Sequence, residues 1–399
     1  MFKDVKVKKA VMIGTLCSVS YLAVYIARNI LSVVTPYMTN EGVVTNEYIG
    51  AVSSLYFIFY AIGQLINGAI GDKIKARYMI SFGLMCAALC NVTLPYLLHT
   101  QTMAKVIYAF TGFFLSMIYG PMTKVVAENT EPLYATRCSI GYTFASFFGS
   151  PAAGVFASIF AWRSVFNISS IMLFVMGLVC FFTFLLFERK GFVKYNQFDK
   201  QKEDKKGIKV LIEHRIVKFT LISFITGIVR TTVVFWLPQY FADYLDFSES
   251  AAAGIFSAST LVISFTTFIT IFIYERLKQN MDLTILIAFC SSALCFLLVY
   301  FIKMPYVNII FIILAIMSSN AAATMLWSRY CPSLRDTGMV SGATGFLDCV
   351  SYLAAALSTT LFANAVSAIG WSNLILIWFA LMVAGIIIAL PYKKKKSIN

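Results

Sequence analysis

Two arginines lie inside long apolar runs of this sequence, and each has the chemistry to bind an anion. Arg28 lies in a run from about residue 11 to residue 37, and Arg230 lies in a similar run about 200 residues later. Each precedes a proline by eight residues, Pro36 and Pro238. An arginine at bilayer depth costs about 2.5 to 3.5 kcal/mol on insertion scales, so a ligand or a partner must retain it. A guanidinium is a planar, permanently charged fork of donors that suits phosphate or carboxylate oxygens.

The residues around Arg28 form a polar stripe on a predicted helix. Tyr21, Tyr25, Arg28, Ser32 and Thr35 are spaced by four, three, four and three residues, which places them on one face. The other faces are apolar. The pattern predicts that this stripe lines a cavity.

A carboxylate also lies within an apolar run. Asp348 shares a predicted helical face with Ser341, Gly345 and Tyr352. A buried carboxylate must be paired or protonated. Paired with one arginine, Asp348 would reduce the charge of the two arginines to a net of one, which favours a monovalent anion. Protonated, it would act as a proton carrier.

Membrane-spanning helices must position these residues. The chain has 399 residues, of which 59% are hydrophobic and 13% charged, and its mean hydropathy of +0.80 excludes an ordinary soluble globular protein. Runs of roughly 20 apolar residues cross a bilayer as helices. The sequence therefore predicts an all-α membrane protein with twelve transmembrane helices near residues 11–37, 48–71, 78–98, 103–127, 139–160, 164–187, 215–241, 251–274, 283–301, 305–328, 338–363 and 370–391.

The net charge of +14 is concentrated in one set of loops. Lysines and arginines collect before the first predicted helix, after the second, between the sixth and seventh, and in the C-terminal tail, whereas the opposite loops are mostly acidic. The positive-inside bias predicts a multi-pass protein of the cell (cytoplasmic) membrane with both termini cytoplasmic. The charge thus needs no nucleic acid as a partner. The expected partners are the lipid bilayer and a small anion, and a monomer is expected.

The nine cysteines and two histidines do not indicate a metal, a cofactor or an enzyme. The cysteines fall in or at the ends of predicted helices without paired spacing, so they are predicted to be small buried residues. His99 and His214 lie at helix ends, with no constellation of ligands or nucleophiles around them. The chain also lacks a phosphate-binding glycine loop followed by Lys-Ser/Thr, so ATP is not the expected energy source.

The two halves of the chain are related by an internal repeat. The corresponding residues, at offsets of 200 to 203, are Arg28 and Arg230, Asp72 and Glu275, and Pro132 and Pro332. Such a repeat predicts two pseudo-symmetric six-helix bundles with a site between them. The predicted division is an N-terminal bundle at 1–187, a cytoplasmic linker loop at 188–214 and a C-terminal bundle at 215–399.

A loop motif carries a family resemblance. The stretch Gly68-Ala-Ile-Gly71-Asp72-Lys73-Ile-Lys75-Ala-Arg77 resembles the motif that major facilitator superfamily members carry after their second helix, although Lys75 replaces a usual glycine. Within that superfamily, the stretches around Arg28, Tyr60-Ala-Ile-Gly63-Gln64 and Arg230 to Pro238 resemble the organophosphate:phosphate antiporter family. This resemblance implies the major facilitator fold, and it implies that the two arginines clamp one anion.

The chain departs from the glycerol-3-phosphate transporter-like pattern of that family at three positions. Two lysines and a histidine of the pattern correspond here to Asn29, Gln64 and Ser146. The missing positive charges disfavour a phosphate dianion, and the neutral donors, with Tyr60, suit hydroxyls or a sugar. Tyrosines that share faces with polar residues would close over a ligand. The predicted substrate-binding residues are Tyr21, Tyr25, Arg28, Asn29, Tyr60, Gln64, Tyr119, Tyr142, Ser146, Arg230, Asp348 and Tyr352.

A second candidate set consists of charged residues at the predicted cytoplasmic helix ends. They would form ion pairs that hold the bundles together in one state and break in the other, or they would only set topology. The set is Asp72, Lys73, Arg77, Lys124, Glu128, Arg137, Glu275, Arg276 and Arg335.

Together these features predict a secondary active transporter that moves a small organic anion by alternating access. Exchange of an organophosphate for phosphate is one case. Two alternatives stay open: an organic-acid (carboxylate) transporter coupled to protons, and a transporter-like membrane sensor of such an anion.

Overall fold

The structure, a computed structural model, describes residues 5–71, 74–195, 214–334 and 340–390. Within these ranges every regular element is helical, which confirms the expected all-α architecture. Ten helical segments of the described chain, with Val340–Ala389 counted once, are long and apolar enough to cross a membrane. The helices are α1 Val5–Asn40, α2 Asn46–Gly71, α3 Ala76–Leu97, α4 Gln101–Asn129, α5 Pro132–Ile159, α6 Trp162–Arg189, α7 Ile216–Asp243, α8 Glu249–Arg276, α9 Met281–Phe301, α10 Pro305–Tyr330, and α11 and α12 within Val340–Ala389.

Gly370 separates α11 from α12. Its φ of 74° and ψ of 170° are not helical, and they divide the 50-residue element into arms at 340–369 and 371–389. This backbone conformation is open almost only to glycine, because a Cβ would clash with the neighbouring peptide. The two arms correspond to the last two of the twelve predicted helices.

Several helices contain local irregularities that the apolar pattern alone does not reveal. Residues 228–233 of α7 and 326–330 of α10 form π-helical turns. The turn in α7 contains Arg230 and is followed by Pro238, which cannot donate a backbone hydrogen bond. π-Helical turns often occur at functional sites, because they redirect side chains within an otherwise regular helix.

Unit 1 is the first of two compact units and contains most of the N-terminal half of the chain. Its described residues are 5–71, 74–195, 235–261 and 355–367. Here α1 packs against α5 and α6, α2 against α4, and α3 against α4 and α6. The domain boundaries predicted from the sequence, with a linker loop at 188–214, follow the internal repeat and differ from the division into compact units. They remain a prediction.

The two ends of unit 1 differ in charge. The basic end is where α1 begins, and there Lys6 pairs with Glu131 at 2.7 Å. The acidic end is where α1 finishes, and there Glu41 accepts a hydrogen bond from the Trp162 indole at 2.9 Å. Hydrogen bonds near the acidic end join the segments 235–261 and 355–367 to the first five helices. They include Ser54 to the Ala356 carbonyl at 2.6 Å and Ser257 to the Pro151 carbonyl at 2.8 Å.

Unit 2 contains the described residues 214–234, 262–334, 340–354 and 368–390. In this unit α10 packs against α7, α8 and α9. Its core includes the stacked rings of Phe219 and Tyr330, whose centres are 3.5 Å apart. This packing fixes the position of the π-helical turn that carries Arg230.

Candidate functional site

Arg28 lies on a partly exposed stripe of α1 and is surrounded by aromatic rings. Its guanidinium carbon is 5.6 Å from the centre of the Tyr25 ring, 5.8 Å from Phe57 and 5.3 Å from Tyr60. Ala27, which faces away from the stripe, is buried. The rings stabilise the cation through their negative faces. An arginine in a helix of membrane length is costly unless such groups or a ligand stabilise it.

Four tyrosines predicted from separate stretches form one cluster beside Arg28. The ring centre of Tyr21 is 4.9 Å from that of Tyr25, 5.4 Å from Tyr119 and 6.3 Å from Tyr142. Tyr119 and Tyr142 are 6.2 Å apart. We call these four residues the tyrosine cluster. The packing of α1, α4 and α5 therefore brings their side chains together next to the cation.

The predicted neutral donors have different environments. The side-chain nitrogen of Asn29 donates to the Tyr25 carbonyl at 2.7 Å, one turn back on α1. Tyr60 is buried, and Gln64 is half-buried on α2. Ser146 lies in α5, but its side chain is outside the described part of the chain. The roles of these residues in binding remain predictions.

The accessible part of the polar stripe stops just beyond Arg28. Ser32 and Thr35 are each only 1% exposed, although the sequence placed them on the cavity-lining face. The Ser32 hydroxyl donates to the Phe235 carbonyl, and the Phe57 and Phe235 rings lie 6.4 Å apart. Arg28 is thus the last exposed polar residue of the stripe before α1 is covered by residues of α7.

A second set of hydrogen bonds follows at the acidic end of unit 1. The Gln239 side-chain nitrogen donates to Thr39 at 3.1 Å and to both Asp243 oxygens at 2.7 and 2.8 Å. The Asn40 amide donates to Glu249. These contacts fasten the end of α7 and the start of α8 to the end of α1 through neutral donors and carboxylates.

Arg230 is paired with the membrane carboxylate in unit 2. Its Nη2 is 3.9 Å from Oδ1 of Asp348, and the two side chains are 35% and 32% exposed. The guanidinium also lies 6.0 Å from the centre of the Trp327 ring. Of the two possibilities that the sequence left open for Asp348, pairing or protonation, the structure has Asp348 paired with Arg230. The distance is long for a hydrogen-bonded pair, so the guanidinium retains donors for another acceptor.

The helices that carry Arg230 and Asp348, α7 and α11, approach each other closely. A Cβ on Gly227 would lie 2.6 Å from the Ser351 carbonyl oxygen and 2.8 Å from its Cα, so only glycine fits. One turn earlier, Ser223 donates to the Leu347 carbonyl at 2.7 Å. Small residues permit this helix contact in a membrane, where packing and hydrogen bonds replace the hydrophobic effect. Tyr352, a predicted site residue on α11, is buried.

The basic end of unit 1 holds an ion pair whose acidic partner sequence reasoning missed. Arg77 at the start of α3 lies 2.9 Å from Glu188 at the end of α6, and both side chains are largely buried. The Tyr195 hydroxyl donates to the other Glu188 oxygen at 2.9 Å. Burial raises the pKa of the Tyr195 phenol, and the bond and charge of Glu188 raise it further. Asn129 exchanges two hydrogen bonds with the backbone of Lys194, which fastens the segment after α6 to α4.

A related cluster in unit 2 was also missed. Asp282, at the start of α9, accepts from Arg215 at 2.9 Å and from Lys218 at 3.1 Å. Lys218 also donates to the Ala389 carbonyl at the end of α12. In the second half, Lys218 thus links the start of the third helix to the end of the sixth, whereas in the first half Arg77 and Glu188 are in direct contact.

The remaining predicted gating residues have separate surroundings. Lys124 and Glu128 are half-buried, one turn apart on α4. Arg137 is exposed beside the Tyr134 ring, at 5.7 Å. Glu275 and Arg276 are exposed at the end of α8. Asp72, Lys73 and Arg335 lie outside the described residues.

Known proteins resemble this chain over short segments in sequence and over nearly its whole length in structure. A phosphoglycerate transporter protein of Salmonella typhimurium is 31% identical over 108 residues, which are 27% of this chain and 23% of that protein. The membrane sensor protein UhpC of the same organism is 24% identical over 94 residues, 24% of this chain and 21% of that protein. The matched segments thus span less than a quarter of these relatives. A crystal structure of a D-xylose-proton symporter superposes with a TM-score of 0.74 at 13% identity and covers 94% of this chain and 95% of that one.

The sequence profile of the Major Facilitator Superfamily matches residues 17–359, which include both arginines and most of the described helices. This match shows the family, and the superposition with the symporter shows the same fold. The chain therefore belongs to the major facilitator superfamily of membrane transporters.

Proposed function

We propose that this protein is a secondary transporter of a small organic anion, including organophosphates in exchange for phosphate, and that Arg28 and Arg230 bind the anion. The observation that carries the proposal is the half-buried guanidinium of Arg28, held midway along a membrane-length helix. Because an arginine is costly at membrane depth, a bound anion would stabilise this cation there. The similarity to a phosphoglycerate transporter protein supports a phosphorylated anion.

Arg230 supplies the second positive group in this proposal. Its repeat relation to Arg28 supports a corresponding depth in the second half. Its long contact with Asp348 offsets part of its charge, so the carboxylate would compete with the substrate for the same guanidinium. Anion binding would release Asp348 and thereby couple occupancy to a rearrangement of α7 and α11. The predicted ion pairs of the helix ends would break and re-form as the transporter alternates between its two states.

The experiment is exchange of radiolabelled phosphate in proteoliposomes. We expect Arg28→Ala and Arg230→Ala to reduce exchange by about tenfold or more, because each removes charged hydrogen bonds to the anion. Arg163→Ala is the matched control, since Arg163 is more than half exposed near the acidic end of unit 1. Unlabelled sugar phosphates and carboxylates serve as competitors. Exchange that survives both arginine substitutions would refute the assignment.

A sensor is the second candidate, and the similarity to the membrane sensor protein UhpC favours it. A sensor would bind the anion through the same arginines without moving it across the membrane. Arginine-dependent binding without flux in the proteoliposomes would select this function over transport.

A proton-coupled carboxylate transporter is the third candidate, favoured by Asp348 beside Arg230. It would acidify the vesicle interior during carboxylate uptake, and Asp348→Asn would abolish that acidification. An internal pH-sensitive dye reports both outcomes.

We propose that the basic end faces the cytoplasm of a cell membrane, as the loop charges favour. Reaction of a membrane-impermeant thiol reagent with a cysteine placed at Lys6 or at Asp246 tests this orientation. In intact cells, labelling should occur at Asp246 and not at Lys6.

A further inference from the structure

The tyrosine cluster is the largest accessible feature next to Arg28 that anion binding alone does not explain. Its four rings contact one another edge-on or tilted, at centre distances between 4.9 and 6.3 Å. Tyr25 links the cluster to the cation, with its ring 5.6 Å from the guanidinium carbon. A ligand held by Arg28 would therefore have aromatic rings as its next neighbours.

The cluster and Arg28 open onto the same space. Tyr21, Tyr25 and Arg28 share one face of α1, and all three are half-buried. Residues on the opposite face, such as Ala23 and Ile30, are at most 3% exposed. Tyr119 of α4 contacts Tyr21 and remains 39% exposed. Because Tyr119 lies against Tyr21 and is exposed, it can meet a ligand that Arg28 holds.

The polar groups that would recognise sugar hydroxyls are largely engaged. The Asn67 side-chain nitrogen donates to Ser116 at 2.7 Å and to the Phe113 carbonyl at 3.3 Å, and its side chain is 1% exposed. The Asn29 side-chain nitrogen donates to its own helix. Tyr60 is 2% exposed. The surroundings of Arg28 thus offer aromatic surface to a ligand, while the amides of Asn29 and Asn67 already donate within the protein.

We infer that the tyrosine cluster binds the uncharged body of the anion and that this body is an aromatic ring. The inference rests on the proposed binding of an anion by Arg28. Aromatic rings attract one another in stacked or edge-to-face geometry beyond simple burial of area. The headgroup would be a phosphate or a carboxylate, since both suit a guanidinium. Tyr119 is assigned as the specificity-determining residue, because it is the most exposed ring of the cluster.

Matched pairs of anions test this assignment on the full-length protein in detergent by isothermal titration calorimetry. One pair is phenyl phosphate and methyl phosphate, and the other is benzoate and acetate. We expect the phenyl member of at least one pair to bind about tenfold more tightly than its partner, a difference of about 1.4 kcal/mol. The pair that shows the preference identifies the headgroup.

Two substitutions of Tyr119 separate ring contact from simple bulk. Tyr119→Phe should keep the preference, because the ring remains. Tyr119→Leu should reduce the ratio to about one, because an apolar side chain of similar depth lacks the ring faces. Tyr306→Leu is the control, since Tyr306 is 73% exposed at the start of α10. A ring preference that survives Tyr119→Leu, or that is absent from the native protein, overturns the inference.

Failure of the inference is distinguishable from failure of the proposed function. If the proposed function holds, Arg28→Ala weakens both members of a pair equally, whatever the ring preference. If Arg28→Ala changes neither affinity, the anion site itself is wrongly assigned and the inference fails with it. Arg28→Lys, which keeps the charge, checks that a loss is not due to misfolding.

Discussion

Replacing Asp348 by Asn should strengthen anion binding, because the carboxylate partly neutralises Arg230. The substitution preserves the size of the side chain and removes its negative charge. Asp348 would then no longer compete with the anion for the guanidinium. If Asp348 instead only maintained the fold, the same change would weaken binding or leave it unaltered.

The expected gain follows from the geometry of the pair. The two atoms are 3.9 Å apart. Two unit charges about 4 Å apart interact by about 1 kcal/mol in bulk water and by about 4 kcal/mol at an effective dielectric constant of about 20. Because each side chain is about one third exposed, the lower part of this range applies. A gain of about 1 to 2 kcal/mol corresponds to an affinity increase of about 5- to 30-fold.

The assay is the dissociation constant of inorganic phosphate and of benzoate, measured by calorimetry on native protein and on Asp348→Asn. Asp246→Asn is the matched control, because Asp246 is an exposed carboxylate with a positive φ that asparagine also tolerates. The double variant Arg230→Ala with Asp348→Asn should lose the gain. Weaker binding in Asp348→Asn, or a gain that persists without Arg230, would refute this account of the pair.

Three further predictions concern the fold. Gly227→Ala should lower stability by about 1 to 3 kcal/mol, because the added Cβ would force α7 away from α11. Gly254→Ala is the control and should leave stability unchanged, because a Cβ there meets open space. Thermal unfolding in detergent compares the two variants. Gly370→Ala should cost about 1 to 3 kcal/mol in the same assay through its φ of 74° alone, since no atom beyond its two chain neighbours lies near the added Cβ. A neutral result would contradict the assigned break between α11 and α12. The folded protein raises the pKa of Tyr195, so the unfolded chain loses the phenol proton first as pH rises. The native protein should therefore lose stability above about pH 10, and Tyr195→Phe should lose less stability over the same pH range. Equal pH dependence of the two proteins would argue against the buried contact with Glu188.

Sequence reasoning was most effective where periodicity and hydropathy act over long stretches. The spacing of Tyr21, Tyr25 and Arg28 predicted a shared face, and the structure has all three partly exposed on one side of α1. The same spacing was misleading one turn later. Ser32 is on the same stripe but is buried under Phe235, because a helical period identifies a face and not what covers it.

The missed residues share a physical origin. Glu188 and Asp282 were not singled out because an acidic residue at a helix end is ordinary in sequence. Each became informative only when a basic partner more than 60 positions away lay within 3 Å. The π-helical turn around Arg230 has no sequence signature in this chain, since it depends on how α7 packs and on the nearby Pro238.

The sequence by itself determined the number and apolar character of the helices, the internal repeat, and the presence of two arginines and one carboxylate inside the membrane region. These are properties of composition and period, which do not depend on how helices pack. Only the tertiary structure decided that Asp348 pairs with Arg230, that tyrosines of α1, α4 and α5 meet beside Arg28, and that Ser32 is covered. Those outcomes depend on contacts between distant segments, and a contact such as Gly227 against Ser351 is set by the packed surfaces of two helices together.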